Sequence, residues 1–280
     1  MADLNLNGVL SGVTVKQCPL VAEAASPVYC GQDFQVSQHE FSLQIEGLGS
    51  FFVCNGSEVL YNVDKGADPE WVRLYLYGQV LVALLHQRKI INFHASSFVY
   101  NGMGVMVPGE TGAGKSSLTL SFALHDGGFL TDDLTPVLFE GEQPCIMPLE
   151  RRVKIWKDTA EELGISHDAL SEAESGTGKK YLSLTPVQMS PFPLRMIVKI
   201  ETGKVEKPVF SEPFPAERFS LLRSEICSWE LLAGMPETET AYLQQLVKIV
   251  ELVRFVRVIR PAKIRITDLH DAVRKYIEQV

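Results

Sequence analysis

Residues 109–117 read Gly109-Glu110-Thr111-Gly112-Ala113-Gly114-Lys115-Ser116-Ser117. Their fixed positions follow the pattern G-x-x-x-x-G-K-[ST], which is typical of phosphate-binding loops. Glycines are needed in such a loop because backbone N–H groups close around phosphate oxygens only where no side chain blocks the approach. The run 104–108 before the loop predicts a buried strand, and apolar residues after it recur at helical spacing. The order strand, loop, helix therefore predicts a phosphate site rather than a glycine-rich turn without a ligand.

Two side chains of this stretch have chemistry suited to a nucleotide. Lys115 can reach the β- and γ-phosphates, and Ser116 offers a hydroxyl to Mg²⁺. The helix that follows would direct the positive end of its dipole at the anion. We therefore expect a nucleoside triphosphate and Mg²⁺ as ligands, with residues 109–117 as their binding loop.

Composition and charge exclude several other classes of protein. The chain has 280 residues, of which 46% are hydrophobic and 21% charged, as in ordinary globular proteins. A formal net charge of −8 argues against a nucleic-acid surface or an anionic membrane surface, since both need Lys and Arg. The five cysteines include no C-x-x-C pair, and neither a secretory signal nor a membrane-spanning apolar run is visible. These features predict a cytoplasmic protein with reduced thiols.

A hairpin is predicted just before the loop. The β-rich runs 90–100 and 103–108 flank Asn101-Gly102, the strongest short turn signal in the chain. If these two residues form the turn, His94 falls opposite Gly109. A histidine there would lie at the mouth of the phosphate loop, whereas a bulge would make it a structural residue.

An acidic pair follows the loop helix. Asp132-Asp133 comes directly after a short predicted strand, Phe129–Thr131. Acidic side chains at a strand end beside a phosphate loop are where such folds hold their metal. Two adjacent carboxylates at one metal should differ in environment, so that one ligates and the other accepts a proton. The alternative is that the pair caps a turn.

The remainder of the chain predicts alternating strands and helices. Short strands are predicted over residues 13–61. Asp68-Pro69-Glu70 is typical of a helix start, and the segment 71–87 that follows predicts a largely buried helix. Later predicted elements are the strand 194–201, the helices 216–233 and 238–250, the strand 253–258 and the helix 267–278.

Two polar segments allow two interpretations each. Arg151 and Arg152 are candidates for binding an acidic substrate or nucleotide phosphates, and a solvated basic edge explains them equally well. Residues 171–180 form either a flexible surface loop or a substrate lid, with the loop favoured. A second basic group is most simply the polar face of a half-buried strand; its members are Arg254, Arg257, Arg260, Lys263 and Arg265.

The landmarks described so far resemble a known family. His94 lies fifteen residues before Gly109, and Asp132-Asp133 follows the loop helix, in the order and spacing of the bacterial HPr kinase/phosphorylase family. Residues 70–158 look most like the shorter HPr-kinase-like proteins. The resemblance implies an α/β fold of the phosphoenolpyruvate-carboxykinase type, with a P-loop and a mixed sheet flanked by helices. It divides the chain into a β-rich region, 1–69, packed on a kinase domain, 70–280.

The resemblance also implies an activity and roles for single residues. The activity is ATP- and Mg²⁺-dependent phosphorylation of a hydroxyl, usually that of a serine. Asp132 would be the general base, and Asp133 would bind Mg²⁺ together with Ser116. Lys115 would hold the transferred phosphoryl group, and His94 would orient Asp132 or touch that group.

Some features depart from the family. Ser117 stands where bifunctional members have Glu, and the Gly-rich C-terminal signature is absent. HPr as the acceptor and the reverse phosphorylase reaction are therefore not carried over. The acceptor is a peptide, a protein or a small metabolite, and homo-oligomers occur among related enzymes. A nucleotide-dependent binding module with little turnover is the alternative function, less favoured because Lys115, Ser116 and both aspartates are present.

Overall fold

The computed structural model describes residues 6, 9–19, 21–149, 151–172 and 178–280. Contacts divide the chain into two compact units. The first contains the described residues up to Asn92 together with Cys227–Gln245, and the second contains Phe93–Ile226 and Leu246–Val280. The contacts thus group the chain differently from the division at residue 70 that the sequence suggested.

The strands are numbered along the chain. They are β1 Thr14–Gln17, β2 Tyr29–Cys30, β3 Phe34–Val36, β4 Glu40–Ile45, β5 Gly49–Cys54, β6 Glu58–Val63, β7 Ile91–Phe93, β8 Ala95–Tyr100, β9 Met103–Pro108, β10 Gly127–Thr131, β11 Thr135–Glu140, β12 Gln143–Ile146, β13 Arg151–Trp156, β14 Leu170–Glu172, β15 Lys179–Leu184, β16 Phe192–Gly203, β17 Val209–Ser211 and β18 Arg254–Pro261.

The helices are numbered in the same way. They are α1 Pro69–Tyr75, α2 Leu81–Gln87, α3 Lys115–His125, α4 Lys157–Glu162, α5 Pro215–Arg223, α6 Pro236–Leu252 and α7 Ile266–Glu278. A π-helical turn, Leu76–Val80, joins α1 to α2, and two 3₁₀ turns occupy His167–Ala169 and Trp229–Gly234. No helix in the described ranges is long and apolar enough to span a membrane.

The first unit is built on a six-stranded sheet in the order β1-β6-β5-β4-β3-β2. Strands β2 to β6 form an antiparallel meander, and β1 adds in parallel to β6. This confirms the short strands predicted over residues 13–61. The predicted start of the following helix is also confirmed, because the Asp68 carboxylate accepts a hydrogen bond from the Glu70 N–H at 2.9 Å.

A buried polar cluster ties α2 to the later segment of the first unit. His86 Nε2 lies 3.0 Å from the Cys227 carbonyl, and Nδ1 lies 2.8 Å from the Tyr242 hydroxyl. That hydroxyl donates to the Ile90 carbonyl at 2.5 Å. Burial lowers the pKa of His86 to about 4, because water cannot solvate an imidazolium there. These contacts explain why Cys227–Gln245 belongs to the first unit.

The second unit contains a mixed sheet. Its strands follow the order β10-β8-β9-β16-β12-β11, and β18 pairs with β16 and carries β17 beyond it. Strands β9, β16 and β18 run parallel, whereas β8 is antiparallel to both β9 and β10. The predicted mixed α/β architecture is thereby confirmed.

Helix α3 is covered by sheets on two sides. Leu118 and Phe122 pack with residues of β8, β9, β16 and β18, and the Phe122 ring stacks on Phe98 at 4.3 Å between centroids. Leu120 packs instead on Val153 of β13, in a separate three-stranded sheet of order β13-β15-β14. The start of α3 is therefore held firmly over the end of β9.

Two predicted elements are wrong in extent. The helix predicted over 216–233 ends at Arg223, because Glu225 turns to contact Lys199 and Ser228 adopts a left-handed conformation with φ 42°. The predicted strand over 90–100 is interrupted at His94, whose N–H donates to the Glu225 carbonyl at 2.7 Å. Both breaks have tertiary causes.

The neutral state of His86 predicts a pH dependence of stability. Between about pH 6.5 and pH 4 the unfolded chain binds a proton at His86 that the native state does not bind. The free energy of unfolding should therefore fall as the pH is lowered through this window, by up to roughly 3 kcal/mol from this group.

Urea unfolding at several pH values, compared between the wild type and His86→Gln, measures this contribution. The variant lacks the titrating group, so its unfolding free energy should decline less steeply below pH 6.5. If the unfolding free energy fell equally steeply with decreasing pH in both proteins, His86 would not be the group responsible.

Candidate functional site

The β8–β9 hairpin sets the geometry of the site. Its pairs run from Tyr100↔Met103 to Ala95↔Pro108 without a shift. Asn101 and Gly102 have φ of 48° and 72°, as a two-residue type I′ turn requires. The predicted register is confirmed. His94 and Gly109 consequently leave the hairpin at the same end.

The glycine loop crosses from β9 to α3 at this end of the sheet. Gly109 forms a bridge with Ile200, and a Cβ on Gly109 would lie 2.5 Å from the Ile200 carbonyl oxygen. Gly114 has φ 102° and is the N-cap of α3. Both positions therefore require glycine. The first N–H groups of α3 have no intrahelical partner and are available to an anion beside the loop.

The other loop residues differ in exposure. Ala113 is buried in the core beneath the loop, Glu110, Thr111 and Gly112 are exposed, and Ser116 and Ser117 are partly buried. A loop with an anchored base and an open outer rim can admit a phosphate group.

Lys115 is folded back over the loop. Its Nζ donates to the Gly109 carbonyl at 2.7 Å and to the Glu110 carbonyl at 3.3 Å. Burial lowers the pKa of Lys115, and the negative charges of Glu225, Asp133 and Asp132 oppose that shift. The ammonium group thus lies among carbonyls and carboxylates, with a charge suited to phosphate.

The acidic pair follows β10 in a tight turn. The Thr131 hydroxyl donates to the Leu134 carbonyl at 2.5 Å, and Asp133 has φ 65°. Asp132 is 3% exposed, and its Oδ1 accepts a short hydrogen bond from the Ser96 hydroxyl. The Asp133 side chain is 70% exposed and lies 3.1 Å from Nε2 of His94. The two carboxylates therefore have the different environments that the sequence predicts.

Ser96 was missed by sequence reasoning. The expectation was that His94 orients Asp132 or touches the transferred phosphoryl group. In the structure His94 contacts Asp133, and the Ser96 hydroxyl donates to Asp132. The available signal was alternation, because Ser96 lies two residues after His94, at the start of a largely buried strand. Most buried hydroxyls have a hydrogen-bond partner, although that of the neighbouring Ser97 has none in the described structure.

A buried ion pair was also missed. Lys199 of β16 and Glu225 contact each other, with side chains only 5% and 9% exposed. Lys199 immediately precedes Ile200, which bridges Gly109, and the Glu225 carbonyl holds the His94 N–H. The signal was a lysine within the otherwise apolar run 196–200.

The predicted basic substrate residues lie on β13. The Arg152 guanidinium lies over the Tyr181 ring, 4.1 Å from its centroid. The side chain of Arg151 is outside the described part of the structure. A substrate role for either residue stays a prediction. The ends of the predicted loop 171–180 belong to β14 and β15, and residues 173–177 lie outside the described residues.

The donor set fits Mg²⁺ that is bound together with a nucleotide. Among the described residues there is no cluster of three His, Cys, Asp or Glu side chains able to hold a metal. Mg²⁺ commonly takes one or two protein ligands and completes its shell with phosphate oxygens and water. Ser116 and Asp133 offer a hydroxyl and a carboxylate, which are oxygen donors of the kind that this mode uses.

Comparisons with known proteins yield a weak structural likeness and no sequence match. No protein-family model and no curated protein match the chain significantly. Among solved structures the chain is similar to the Hpr(Ser) kinase/phosphatase from Coxiella burnetii, at 15% identity and a TM-score of 0.35. The match covers 67% of this chain and 97% of that one. A likeness of this size carries no argument about function.

The Lys199–Glu225 pair predicts non-additive mutations. Glu225→Gln or Lys199→Met alone leaves one charge buried without compensation and should cost about 3 to 5 kcal/mol of unfolding free energy. The double variant Lys199→Met/Glu225→Gln removes both charges and should recover a large part of that loss. A double-mutant cycle from urea unfolding measures the coupling.

The exposed pair Lys248–Glu142 provides the matched control, with an expected coupling below about 1 kcal/mol. If the costs of the two buried substitutions simply added, Lys199 and Glu225 would not be energetically coupled.

Proposed function

We propose that the chain is an ATP- and Mg²⁺-dependent kinase that transfers the γ-phosphoryl group to a hydroxyl of a peptide, protein or small metabolite, with a serine hydroxyl as the acceptor group. The observation that carries the proposal is a buried carboxylate, Asp132, bonded to Ser96 on the strand that pairs with β9. Strand β9 in turn leads into the glycine loop and Lys115. A phosphate cradle and a fixed proton acceptor are the two parts that phosphoryl transfer to a hydroxyl requires.

The loop and Lys115 would bind the phosphates. Backbone N–H groups at the start of α3 receive the anion, and Lys115 exchanges its bonds with the carbonyls of Gly109 and Glu110 for bonds with phosphate oxygens. Mg²⁺, held by Ser116 and Asp133, would neutralise charge on the β- and γ-phosphates. His94 positions the Asp133 carboxylate through the contact at Oδ1.

Asp132 would act as the general base. The acceptor oxygen forms a bond to the γ-phosphorus, the bond from that phosphorus to the β–γ bridging oxygen breaks, and ADP leaves. The acceptor proton passes to Asp132. Ser96 fixes the orientation of this carboxylate through its hydrogen bond. A carboxylate is a weak base, but it suffices because proton transfer can follow P–O cleavage in a loose transition state.

The remaining assignments follow the same proposal. The motif order of His94, the glycine loop and Asp132-Asp133 supports the HPr-kinase-like serine kinase assignment. A cytoplasmic location, where ATP is abundant, and assembly into homo-oligomers are part of the proposal.

Substitutions in the loop and at the base should separate binding from transfer. Lys115→Ala removes the cation that faces the phosphates and should abolish ATP binding measured by calorimetry. Asp132→Asn keeps the loop intact and should bind ATP normally, while transfer falls about a hundredfold or more. Transfer is read as a phosphate mass gain on a panel of free serine, a serine-ended peptide and HPr.

The exposed Asp271, paired with Arg274, provides a control substitution to Asn that should leave transfer unchanged. Transfer by Asp132→Asn at the wild-type rate would refute the base assignment. Tight ATP binding by the wild type, without transfer or hydrolysis on any acceptor, would favour the nucleotide-dependent binding module.

Adjacent serines on β8 allow a second test. Ser96→Ala removes the hydroxyl that holds Asp132, so we expect the transfer rate to fall roughly tenfold with little change in ATP affinity. Ser97 is equally buried, and its hydroxyl has no hydrogen-bond partner in the described structure. Ser97→Ala should therefore leave transfer unchanged. Equal losses in both variants would show that Ser96 acts only through packing.

A further inference from the structure

The arginines of the last strand, β18, have different kinds of hydrogen-bond partners. Arg254 contacts Glu212 and the Val280 carbonyl, and Arg257 contacts Glu201 and Glu217. For these two residues the polar-face interpretation is appropriate. Arg260, at the end of β18, donates instead to main-chain carbonyls, so its position calls for another explanation.

Arg260 binds the back of the glycine loop. Its Nε donates to the Ala113 carbonyl at 2.6 Å and its Nη2 to the Gly112 carbonyl at 3.1 Å. Its Nη1 donates to the carbonyls of Pro261 and Ala262 at 2.9 and 3.2 Å. One guanidinium thus joins the loop to the segment that leads into α7. Arg260 is partly buried, and this burial lowers the pKa of its guanidinium.

A phosphate loop needs such donors for a geometric reason. Where successive N–H groups converge on an anion, the carbonyls of the same peptides point to the opposite side. Carbonyls removed from water require hydrogen-bond donors, and an arginine can serve two of them with one rigid, planar group. Gly112 and Ala113 immediately precede Gly114, the N-cap of α3.

Both ends of the loop depend on one pair of parallel strands. Ile200 of β16 bridges Gly109 at the start of the loop, and Arg260 of β18 bonds to Gly112 and Ala113 before the start of α3. A Cβ on Gly114 would lie 3.5 Å from Nε of Arg260, which is ordinary van der Waals contact. The guanidinium therefore lies directly against the turn before Lys115.

We propose that Arg260 is a positioning residue for the phosphate site, which it serves by holding the carbonyls of Gly112 and Ala113 away from the ligand. The Gly114 N–H, which shares a peptide with the Ala113 carbonyl, is thereby oriented before any ligand arrives, whereas the Ala113 N–H donates to the Glu110 carbonyl at 3.0 Å. Binding then requires less ordering of the backbone. Arg260 acts through the loop and does not touch the phosphate. The inference rests on the proposed function, because it assumes that the loop binds phosphate.

The test is calorimetric titration of pyrophosphate and of ADP into the wild type, Arg260→Met, Arg260→Lys and the control Arg254→Met. Arg260→Met should bind both ligands about tenfold or more weakly, by the same factor, because both use the loop. Arg260→Lys keeps the positive charge but lacks the planar guanidinium that serves two carbonyls at once. It should therefore recover only a small part of the lost affinity. Arg254→Met should bind as the wild type does.

Hydrogen exchange of the empty proteins gives a readout of the mechanism. Amides of residues 110–116 should exchange faster in Arg260→Met and Arg260→Lys than in the wild type or Arg254→Met. Should Arg260→Met fail to fold, Arg260→Gln, with one amide group for donation, takes its place in both measurements.

The outcomes separate this inference from the proposed function. Full recovery of affinity in Arg260→Lys, with wild-type exchange of the loop, would show that only charge matters and would overturn the positioning role. Wild-type affinity in Arg260→Met would overturn it as well, while leaving the kinase proposal intact. Failure of the wild-type protein to bind either ligand would overturn both.

Discussion

The register of the β8–β9 hairpin is the constraint on which the candidate site depends. Because side chains alternate along a strand, a slip of one residue would move Ser96 to the opposite face of the sheet and away from Asp132. Asn101-Gly102 prevents that slip, since a type I′ turn admits only one pairing of the flanking strands. The same register brings His94 and Gly109 to one edge of the sheet, where β10 delivers the acidic pair.

At that edge the backbone conformation separates two neighbouring carboxylates. Asp133 adopts a left-handed conformation that aspartate tolerates better than most residues. The turn sends Asp132 inward to a serine hydroxyl and Asp133 outward to an imidazole. Two chemically identical neighbouring side chains thereby lie in different environments, one buried and one largely exposed.

Local signals in the sequence were sufficient for the elements around the loop. The hairpin, α3 and the strand before the acidic pair were predictable, because turn chemistry and periodicity act over a few residues. Ser96 and Glu225 were not assigned, and Arg260 was assigned only to the polar face of a strand, since each gains its role from a partner distant in the chain. Tertiary contacts also override local propensity elsewhere in the chain. They end helix α5 at Arg223, and they place Cys227–Gln245 in the first unit.

The support of the loop by β18 has a consequence for biosynthesis. Arg260 is translated 145 residues after Lys115, as the difference of their numbers shows. At the usual rate of translation this corresponds to a delay on the order of ten seconds. Throughout that interval the nascent chain carries the glycines of the motif but lacks the arginine that bonds the carbonyls of Gly112 and Ala113 in the folded protein. The glycine motif is thus made early, but the scaffold that shapes it is completed only after β18 has been translated.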